Sequence, residues 1–192
     1  MSTVKPSTLR WTRDEYYRLA ELGMFGQQRV ELVEGAIIRM PAQKNLHGIA
    51  IDLSHEALRT AFGPGHWIRI QLPLHLGTRS APEPDLAVVL GRSRDYLKTG
   101  HPQTALLIVE ISDTSLAYDR IRKASLYARA GIADYWIVNL VDRRLEVRRA
   151  PVADLAMRFG FGYSDVRVLT ETDFVSPLAM PQARIAVADL LP

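Results

Sequence analysis

The stretch ALLIVEIS, residues 105–112, carries the strongest structural signal in this chain. It is apolar except for Glu110 and Ser112, and such a nearly continuous apolar run is typical of a strand that is covered on both faces. Because side chains alternate between the two faces of a strand, Glu110 and Ser112 share one face. A glutamate in this setting is expected to be buried only where it is paired or bound to a metal ion.

A second acidic residue stands in the preceding apolar run, EPDLAVVL, residues 83–90. Pro84 lacks a ladder donor, so a strand is predicted to begin there and to cover 84–90, with Asp85 at its start. Two carboxylates from neighbouring strands can hold a hard divalent cation such as Mg²⁺. That cation can activate a water molecule and neutralise charge on a phosphodiester. In the competing interpretation, Asp85 caps a turn and Glu110 pairs with one of the many arginines.

The segment after these strands is predicted to form a helix over 117–130. Asp119, Lys123 and Tyr127 recur at intervals of four residues, so they share one face of that helix. The helix can pack beside the preceding strand and direct Lys123 towards Glu110, where a positive charge would stabilise charge developing on a substrate. The alternative is an ordinary surface lysine paired with Asp119.

Helices and strands alternate along the rest of the chain. Thr12 and Glu15 have the spacing of a capping box at the start of the first helix, and Glu34-Gly35 marks the turn of a hairpin over 29–40. The predicted helices cover 13–22, 46–62 and 93–97, and the further strands cover 66–72, 105–112, 135–140, 145–149 and 158–170, with a short final element at 185–190. This order favours an α/β fold with a mixed sheet flanked by helices.

The composition predicts one globular domain over 1–192, with an irregular β-rich part after about residue 150. The chain has 192 residues, of which 47% are hydrophobic and 23% charged, as in ordinary globular proteins. The absence of cysteine excludes disulfides, thiolate nucleophiles and cysteine-ligated zinc. No apolar run approaches the ~20 residues of a membrane span, and no segment resembles a signal peptide, so a cytoplasmic protein without membrane contact is expected. The net charge of +3 is compatible with nucleic acid.

Four segments together resemble one known family. They are RVELVEG (29–35), EPDLAVV (83–89), LLIVEIS (106–112) and YDRIRKASLYARAGIADYWIV (118–138), joined by a histidine that opens a helix, His47. The series is similar to the Uma-two family of endonucleases, which belongs to the PD-(D/E)XK superfamily and has a restriction-endonuclease-like fold. The resemblance covers roughly 11–147 and is most specific between Glu110 and Val138. It implies a mixed central sheet with a helix on each side.

The resemblance also implies roles for particular residues. Asp85 and Glu110 would be ligands of Mg²⁺ or Mn²⁺, and the backbone carbonyl of Ile111 would be a third ligand. Glu31 would be a further acidic member of the site, brought there by the first hairpin, although a solvated hairpin residue is the alternative. Lys123 would take the role of the superfamily's lysine.

One departure from the superfamily pattern concerns that lysine. The usual lysine lies two residues after the glutamate, a position that Ser112 occupies here, so the charge would have to come from Lys123 on the helix. His47 would lie near the scissile phosphate or orient a water molecule, unless it is only a solvated residue at a helix start. Asp119 would position Lys123 rather than bind the metal.

Together these expectations predict a metal-dependent endonuclease that hydrolyses phosphodiester bonds of nucleic acid, with DNA as the main expected substrate. A homodimer is expected because symmetric dimers are a common solution for cutting both strands of a duplex. A non-catalytic domain that binds nucleic acid or protein and retains the fold is the main alternative, since a fold does not entail an activity. A metal-dependent phosphoesterase for small substrates is a third possibility. The endonuclease hypothesis requires the carboxylates of Asp85 and Glu110 to converge.

Overall fold

The first part of the chain forms a helix, a hairpin and a second, long helix. These are α1 (Arg13–Glu21), β1 (Val30–Val33), β2 (Ala36–Arg39) and α2 (Asn45–Phe62). The capping box predicted at α1 is present, because Thr12 accepts from the Glu15 amide and the Glu15 carboxylate accepts from Thr12. The hairpin turns at Glu34 and Gly35, both with positive φ, as two-residue hairpin turns require. A Cβ at Gly35 would lie 2.8 Å from Cβ of Arg10, so only glycine fits this turn.

A six-stranded mixed sheet forms the centre of the computed structural model, which describes residues 7–192. Its strands, in spatial and chain order, are β3 (His66–Ile70), β4 (Leu86–Leu90), β5 (Leu107–Ser112), β6 (Asp134–Asn139), β7 (Arg144–Ala153) and β8 (Phe161–Leu169). Only β5 and β6 pair in parallel; the other neighbours are antiparallel. The predicted α/β architecture is therefore confirmed. Residues 1–6, which belong to the stretch expected to lack a signal peptide, lie outside the described residues.

Apolar layers cover both faces of this sheet. On one face, α2 and the C-terminal segment pack on side chains such as Val109 and Trp136. On the other face, the helical segment 116–129 packs on Ile108 and Tyr135. Two short strands, β9 (Phe174–Val175) and β10 (Ile185–Ala186), and a 3₁₀ turn at Val187–Leu190 complete the C-terminal segment. No described helix combines the length and apolarity needed to cross a membrane.

Several element boundaries differ from the sequence prediction. Strand β3 ends at Ile70 rather than at residue 72, because Gln71 has a φ of 49° and turns the chain out of the sheet. Strand β4 begins at Leu86 rather than at residue 84, so Asp85 precedes the strand instead of opening it. Likewise β5 begins at Leu107 rather than at residue 105.

The helix predicted over 117–130 is interrupted in its interior. It consists of α3 (Leu116–Tyr118), a π-helical turn at Asp119–Lys123 and α4 (Ala124–Arg129). The amide of Ala124 donates to the carbonyl of Asp119, which is the wider spacing of a π turn. The Tyr135 hydroxyl donates to the same carbonyl at 3.1 Å. π turns are rare in proteins, but those that occur often lie at functional sites. This one contains both Asp119 and Lys123.

Candidate active site

Asp85 and Glu110 meet where β4 and β5 separate. The last register pair of these strands is Leu86 with Val109, so Asp85 lies opposite Glu110 one position further on. The Asp85 amide donates to Oε2 of Glu110 at 3.3 Å, and the Ile111 amide donates to Oδ2 of Asp85 at 2.9 Å. The two residues are 6% and 4% exposed. The structure therefore brings the two predicted carboxylates together in a buried position.

Two side chains hold the other oxygen of Asp85. His47 Nε2 lies 3.1 Å from Oδ1, and the side-chain amide of Gln71 donates to the same oxygen at 3.0 Å. Burial alone would raise the pKa of Asp85, but the hydrogen bonds from His47, Gln71 and Ile111 together bring that pKa below its ordinary value. The pKa of His47 is raised, since the hydrogen bond and the charge of Asp85 outweigh the burial of the ring, which acts in the opposite direction.

Lys123 reaches Glu110 from the helical segment, as the resemblance implied. Its ammonium donates to Oε2 of Glu31 at 2.8 Å and to Oε1 of Glu110 at 3.1 Å. The residue is only 1% exposed. Burial would lower the pKa of Lys123, but the charges of Glu110 and Glu31 raise it well above its ordinary value. Lys123 is therefore a buried cation that binds two carboxylates from different parts of the chain.

The ion pair with Lys123 does not fully offset the burial of the Glu110 carboxyl group. Burial raises the pKa of Glu110 to about 8; Lys123 opposes the shift, and the nearby carboxylates of Asp119 and Asp85 add to it. The Tyr127 hydroxyl donates to Oε1 of Glu110 at 2.7 Å, which is a smaller opposing effect. Buried like charges of this kind are typical of functional sites, although ion-pair networks also produce them.

The hairpin brings Glu31 into the site. Its carboxylate accepts from Lys123, from the Glu83 amide at 3.1 Å and from the Tyr118 hydroxyl at 3.0 Å. Glu31 is fully buried, so the alternative of a solvated hairpin residue does not describe this structure. Its bonds tie the hairpin to the segment before β4 and to α3.

Asp119 and Ser112 form a neighbouring unit. The hydroxyls of Ser112 and Ser115 donate to Oδ2 of Asp119 at 2.6 and 2.7 Å. Burial raises the pKa of Asp119, an effect that the charge of Lys123 opposes. Within residues 7–192, no hydrogen bond or ion pair joins Asp119 directly to Lys123. The positioning role expected of Asp119 therefore has no direct contact behind it, and the Ser112 hydroxyl binds Asp119.

A cavity of about 40 Å³ adjoins these side chains. Its walls include Asp85, Glu110, Ile111, His47 and the covering segment, which we define as residues 40–44. The volume suits about one water molecule or a small ion, since a water in the liquid occupies about 30 Å³. At its mouth, the exposed ammonium of Lys44 lies 3.1 Å from Oδ2 of Asp113. The carboxylates are thus closed off from bulk solvent by residues 40–44.

The donor set of this cavity fits a hard divalent cation in chemistry. Asp85, Glu110 and Asp119 contribute buried carboxyl groups to its wall. Oxygen ligands are those that Mg²⁺ prefers. In the described part of the chain there is no group of three or more His, Cys, Asp or Glu side chains arranged to hold a metal ion. The arrangement therefore offers two carboxylates and backbone oxygen rather than a preformed three-side-chain centre.

Among the residues that sequence reasoning missed, Gln71 and Tyr127 contact the two central carboxyl groups. Gln71 was assigned only to the end of a predicted strand, and nothing in the sequence around it indicates a contact with Asp85. Tyr127 is predicted only to share the helix face of Lys123; in the structure it is buried, and its hydroxyl donates to Glu110. The shared helix face was the available signal for Tyr127; for Gln71 there was none.

The fold and the site together define a restriction-endonuclease-like protein. Residues 13–188 match the Uma2 family, described as "Putative restriction endonuclease". Because this match covers most of the chain, the protein belongs to the Uma2 family, as the sequence resemblance indicated.

A solved structure from Anabaena variabilis, described as a "putative nuclease belonging to DUF820", is similar in fold. It has a TM-score of 0.67 and 15% sequence identity to this protein, over 94% of this chain and 97% of that chain. At this identity the likeness establishes the fold alone. No curated protein matches the sequence.

Proposed function

We propose that this protein is a metal-dependent endonuclease that hydrolyses phosphodiester bonds of nucleic acid, with DNA as the principal substrate. The observation that carries the proposal is the convergence of Asp85, Glu110 and Lys123 in one buried cluster beside a cavity. Membership of a family of endonucleases supports the reaction class. Metal dependence and the choice of DNA are part of the proposal.

Asp85 and Glu110 would hold the cation, Mg²⁺ or Mn²⁺, together with the Ile111 carbonyl. The Ile111 amide already faces Asp85, and the amide and carbonyl of one strand residue point to the same side, so the carbonyl is on the Asp85 side of β5. When bound, the cation would supply a Lewis acid that activates water and neutralises charge on the phosphodiester. The raised pKa of Glu110 implies that binding displaces a proton from this group.

The chain's own residues contribute orientation and charge. His47 holds Oδ1 of Asp85 and lines the cavity, so it lies where it can orient a water molecule. Lys123 holds Glu110 and Glu31 in place, and its third hydrogen points to the Tyr127 hydroxyl at 3.5 Å. That weakest contact is the one that a phosphate oxygen would replace.

Access for a polymer requires movement of the covering segment. Asp85 and Glu110 are nearly inaccessible, and a cavity of about 40 Å³ cannot admit a phosphodiester. Lys44 is two-thirds exposed, and its ammonium pairs with Asp113 at the mouth of the cavity. A phosphate can therefore compete for Lys44, and displacement of residues 40–44 would open the site.

A cleavage assay tests the proposal directly. Purified protein is incubated with a mixture of double-stranded DNA, single-stranded DNA and RNA, with Mn²⁺ or with a chelator. Cleavage that needs Mn²⁺ and disappears in Asp85→Asn is expected. Asp165→Asn, a matched change at an exposed aspartate paired with Arg167 on β8, should cut at the native rate. Mn²⁺-independent cutting, or equal cutting by Asp85→Asn, would contradict the proposal.

A homodimer is a further part of this proposal, since two sites related by symmetry can cut the two strands of a duplex. Light scattering coupled to size-exclusion chromatography should give about twice the 21.6 kDa of one chain. A monomeric mass with and without duplex DNA would remove this part while leaving cleavage untouched.

A non-catalytic binding domain remains a second candidate because of one observation. Lys123 forms internal ion pairs with Glu110 and Glu31, so the cluster can also be interpreted as a structural network in a protein that has lost its activity. Such a protein would bind DNA or a protein partner equally well with and without Mn²⁺. Gel-shift binding without any cleavage, and without a response to Mn²⁺, would favour this candidate over the endonuclease.

A further inference from the structure

Gln71 has an unusual backbone conformation beside the candidate site. Its φ of 49° lies in the left-handed region, which glycine and asparagine adopt much more readily than glutamine does. The residue directly follows β3, and the chain leaves the sheet there. Backbone strain of this kind persists where surrounding contacts determine it and is concentrated at functional sites.

Two hydrogen bonds hold Gln71 in this conformation, and both are made to Asp85. The Gln71 backbone amide donates to the Asp85 carbonyl at 3.1 Å, which extends the pairing of β3 with β4 by one position beyond Ile70 and Leu86. The Gln71 side-chain amide donates to Oδ1 of Asp85 at 3.0 Å. Asp85 is therefore held at its backbone and at its carboxylate by the same residue.

This double contact orients the carboxylate. With Gln71 and His47 on Oδ1, the other oxygen, Oδ2, is turned towards β5, where it accepts from the Ile111 amide. Without the Gln71 side chain, the carboxylate would keep a single side-chain donor and could rotate about its χ2 angle, a broad torsion for aspartate.

We infer that Gln71 is a positioning residue, which fixes the carboxylate of Asp85 in the orientation needed to share a ligand with Glu110. The part of this inference that concerns metal rests on the proposed function. The orientation of Asp85 itself does not, because it is a property of the metal-free protein.

Gln71→Asn separates the side-chain contact from the backbone strain. Asparagine tolerates the left-handed region better than glutamine, yet its side chain is one methylene shorter and falls short of Oδ1. The variant should fold and melt close to the native temperature, because relief of the backbone strain offsets part of the lost hydrogen bond. Ala150→Gly is the matched control, because Ala150 also has a positive φ of 55° and lies on β7, outside the site.

Native-state hydrogen exchange gives a readout without metal. The Ile111 amide should exchange roughly tenfold faster in Gln71→Asn, because its charged acceptor is no longer held in place. The amide of Val109, two residues earlier on β5, should exchange at its native rate, as should both amides in Ala150→Gly. Unchanged Ile111 exchange in Gln71→Asn would overturn the inference.

Calorimetric titration with Mn²⁺ gives the second readout. Loss of a group that orients a metal ligand typically costs about 10- to 100-fold in affinity, so Gln71→Asn should bind Mn²⁺ that much more weakly, whereas Ala150→Gly should bind as the native protein does. Native affinity in Gln71→Asn would overturn the inference. If the native protein itself binds no Mn²⁺, the proposed metal site fails, but faster exchange of Ile111 would still establish Gln71 as the residue that orients Asp85.

Discussion

Two glutamates on the same face of the central sheet show what distinguishes the candidate site from the rest of the interior. Glu110 on β5 and Glu146 on β7 occupy one cross-strand row, with Ile137 of β6 between them. They are almost equally buried, at 4% and 3% exposed. Their pKa values nevertheless shift in opposite directions: that of Glu110 rises to about 8 and that of Glu146 falls.

Although their exposed fractions are alike, Glu110 lies deeper in the interior than Glu146, and the charges around the two groups also differ. Burial raises the pKa of Glu146 too, but hydrogen bonds from Arg120 and Arg148, each at 2.9 Å, outweigh it. Glu110 shares one lysine with Glu31 and has other carboxylates close by. Burial by itself therefore does not mark a functional carboxylate in this protein. The unbalanced charge around Glu110 does, because it leaves a place for a further cation.

The largest expected effect is a difference in cleavage rate between variants of Glu110 and Glu146. Glu110→Gln should reduce Mn²⁺-dependent cutting by more than about 10³-fold, since Glu110 would hold the cation and not merely assist it as a single electrostatic group worth ~10²–10³-fold does. Glu146→Gln makes the same chemical change two strands away and should cut within a few-fold of the native rate. Initial rates on a labelled duplex measure both. Equal losses of cleavage rate in the two variants would show that the different surroundings of the two glutamates do not decide their roles in cleavage.

The second effect concerns the lysine that Glu110 shares. Lys123→Ala leaves Glu31 and Glu110 buried without a cation, and breaking a buried ion pair in this way costs about 3–5 kcal/mol of unfolding free energy. Cleavage should fall by about 10²–10³-fold as well. Urea unfolding and initial rates check the two parts separately.

Lys98→Ala is the matched control for that prediction. Lys98 is exposed, so its removal should change the unfolding free energy by less than about 0.5 kcal/mol. A Lys123→Ala variant as stable as Lys98→Ala would mean that the carboxylates do not depend on Lys123.

Much of this arrangement follows from sequence patterns. The apolar runs around Asp85 and Glu110 predicted neighbouring strands, and the four-residue spacing of Lys123 and Tyr127 predicted their common face. Those signals are local, because strand alternation and helix periodicity depend only on spacing along the chain. The resemblance to the family then connected the segments, including Glu31 on the hairpin.

The rest depends on contacts that spacing does not encode. The π turn at 119–123 looks like ordinary helix in the sequence, since the hydrogen bond from Tyr135 to Asp119 comes from a distant strand. The left-handed turn at Gln71 is equally invisible, because the residue type that occupies it is unusual there. The contact of Ser112 is a third example, because its hydroxyl binds Asp119 on the helical segment, outside the strand.

The pH dependence of stability should have opposite signs for the two glutamates. In the folded protein the pKa of Glu110 is about 8, above its ordinary value of 4.5, so the stability that its proton provides is fully present below about pH 4.5 and is lost as the pH rises through 8. The pKa of Glu146 is below 4.5, so its contribution is present above that pH and is lost on acidification.

Melting temperatures of the metal-free protein between pH 3 and 9 separate these two contributions. Glu110→Gln should lose the decline of the native protein between about pH 4.5 and 8 and keep its acid limb. Glu146→Gln should lose the acid limb and keep the decline at higher pH. A decline above pH 6 that persists unchanged in Glu110→Gln would assign it to another group.

The smallest expected effect is the change in melting temperature when Mn²⁺ is added. This measurement compares Glu110 with Glu146 without any cleavage reaction. A ligand that binds only the folded state at ten times its Kd stabilises that state by about 1.4 kcal/mol, which in a domain of this size corresponds to roughly 3–6 °C in melting temperature. Mn²⁺ should therefore raise the melting temperature of the native protein by a few degrees at pH 7.5, where Glu110 must release its proton to bind. Glu146→Gln should show the same rise, because its charge is already balanced by Arg120 and Arg148, and Glu110→Gln should show none. A rise of equal size in both variants would place the bound ion away from Glu110, on the surface of the protein.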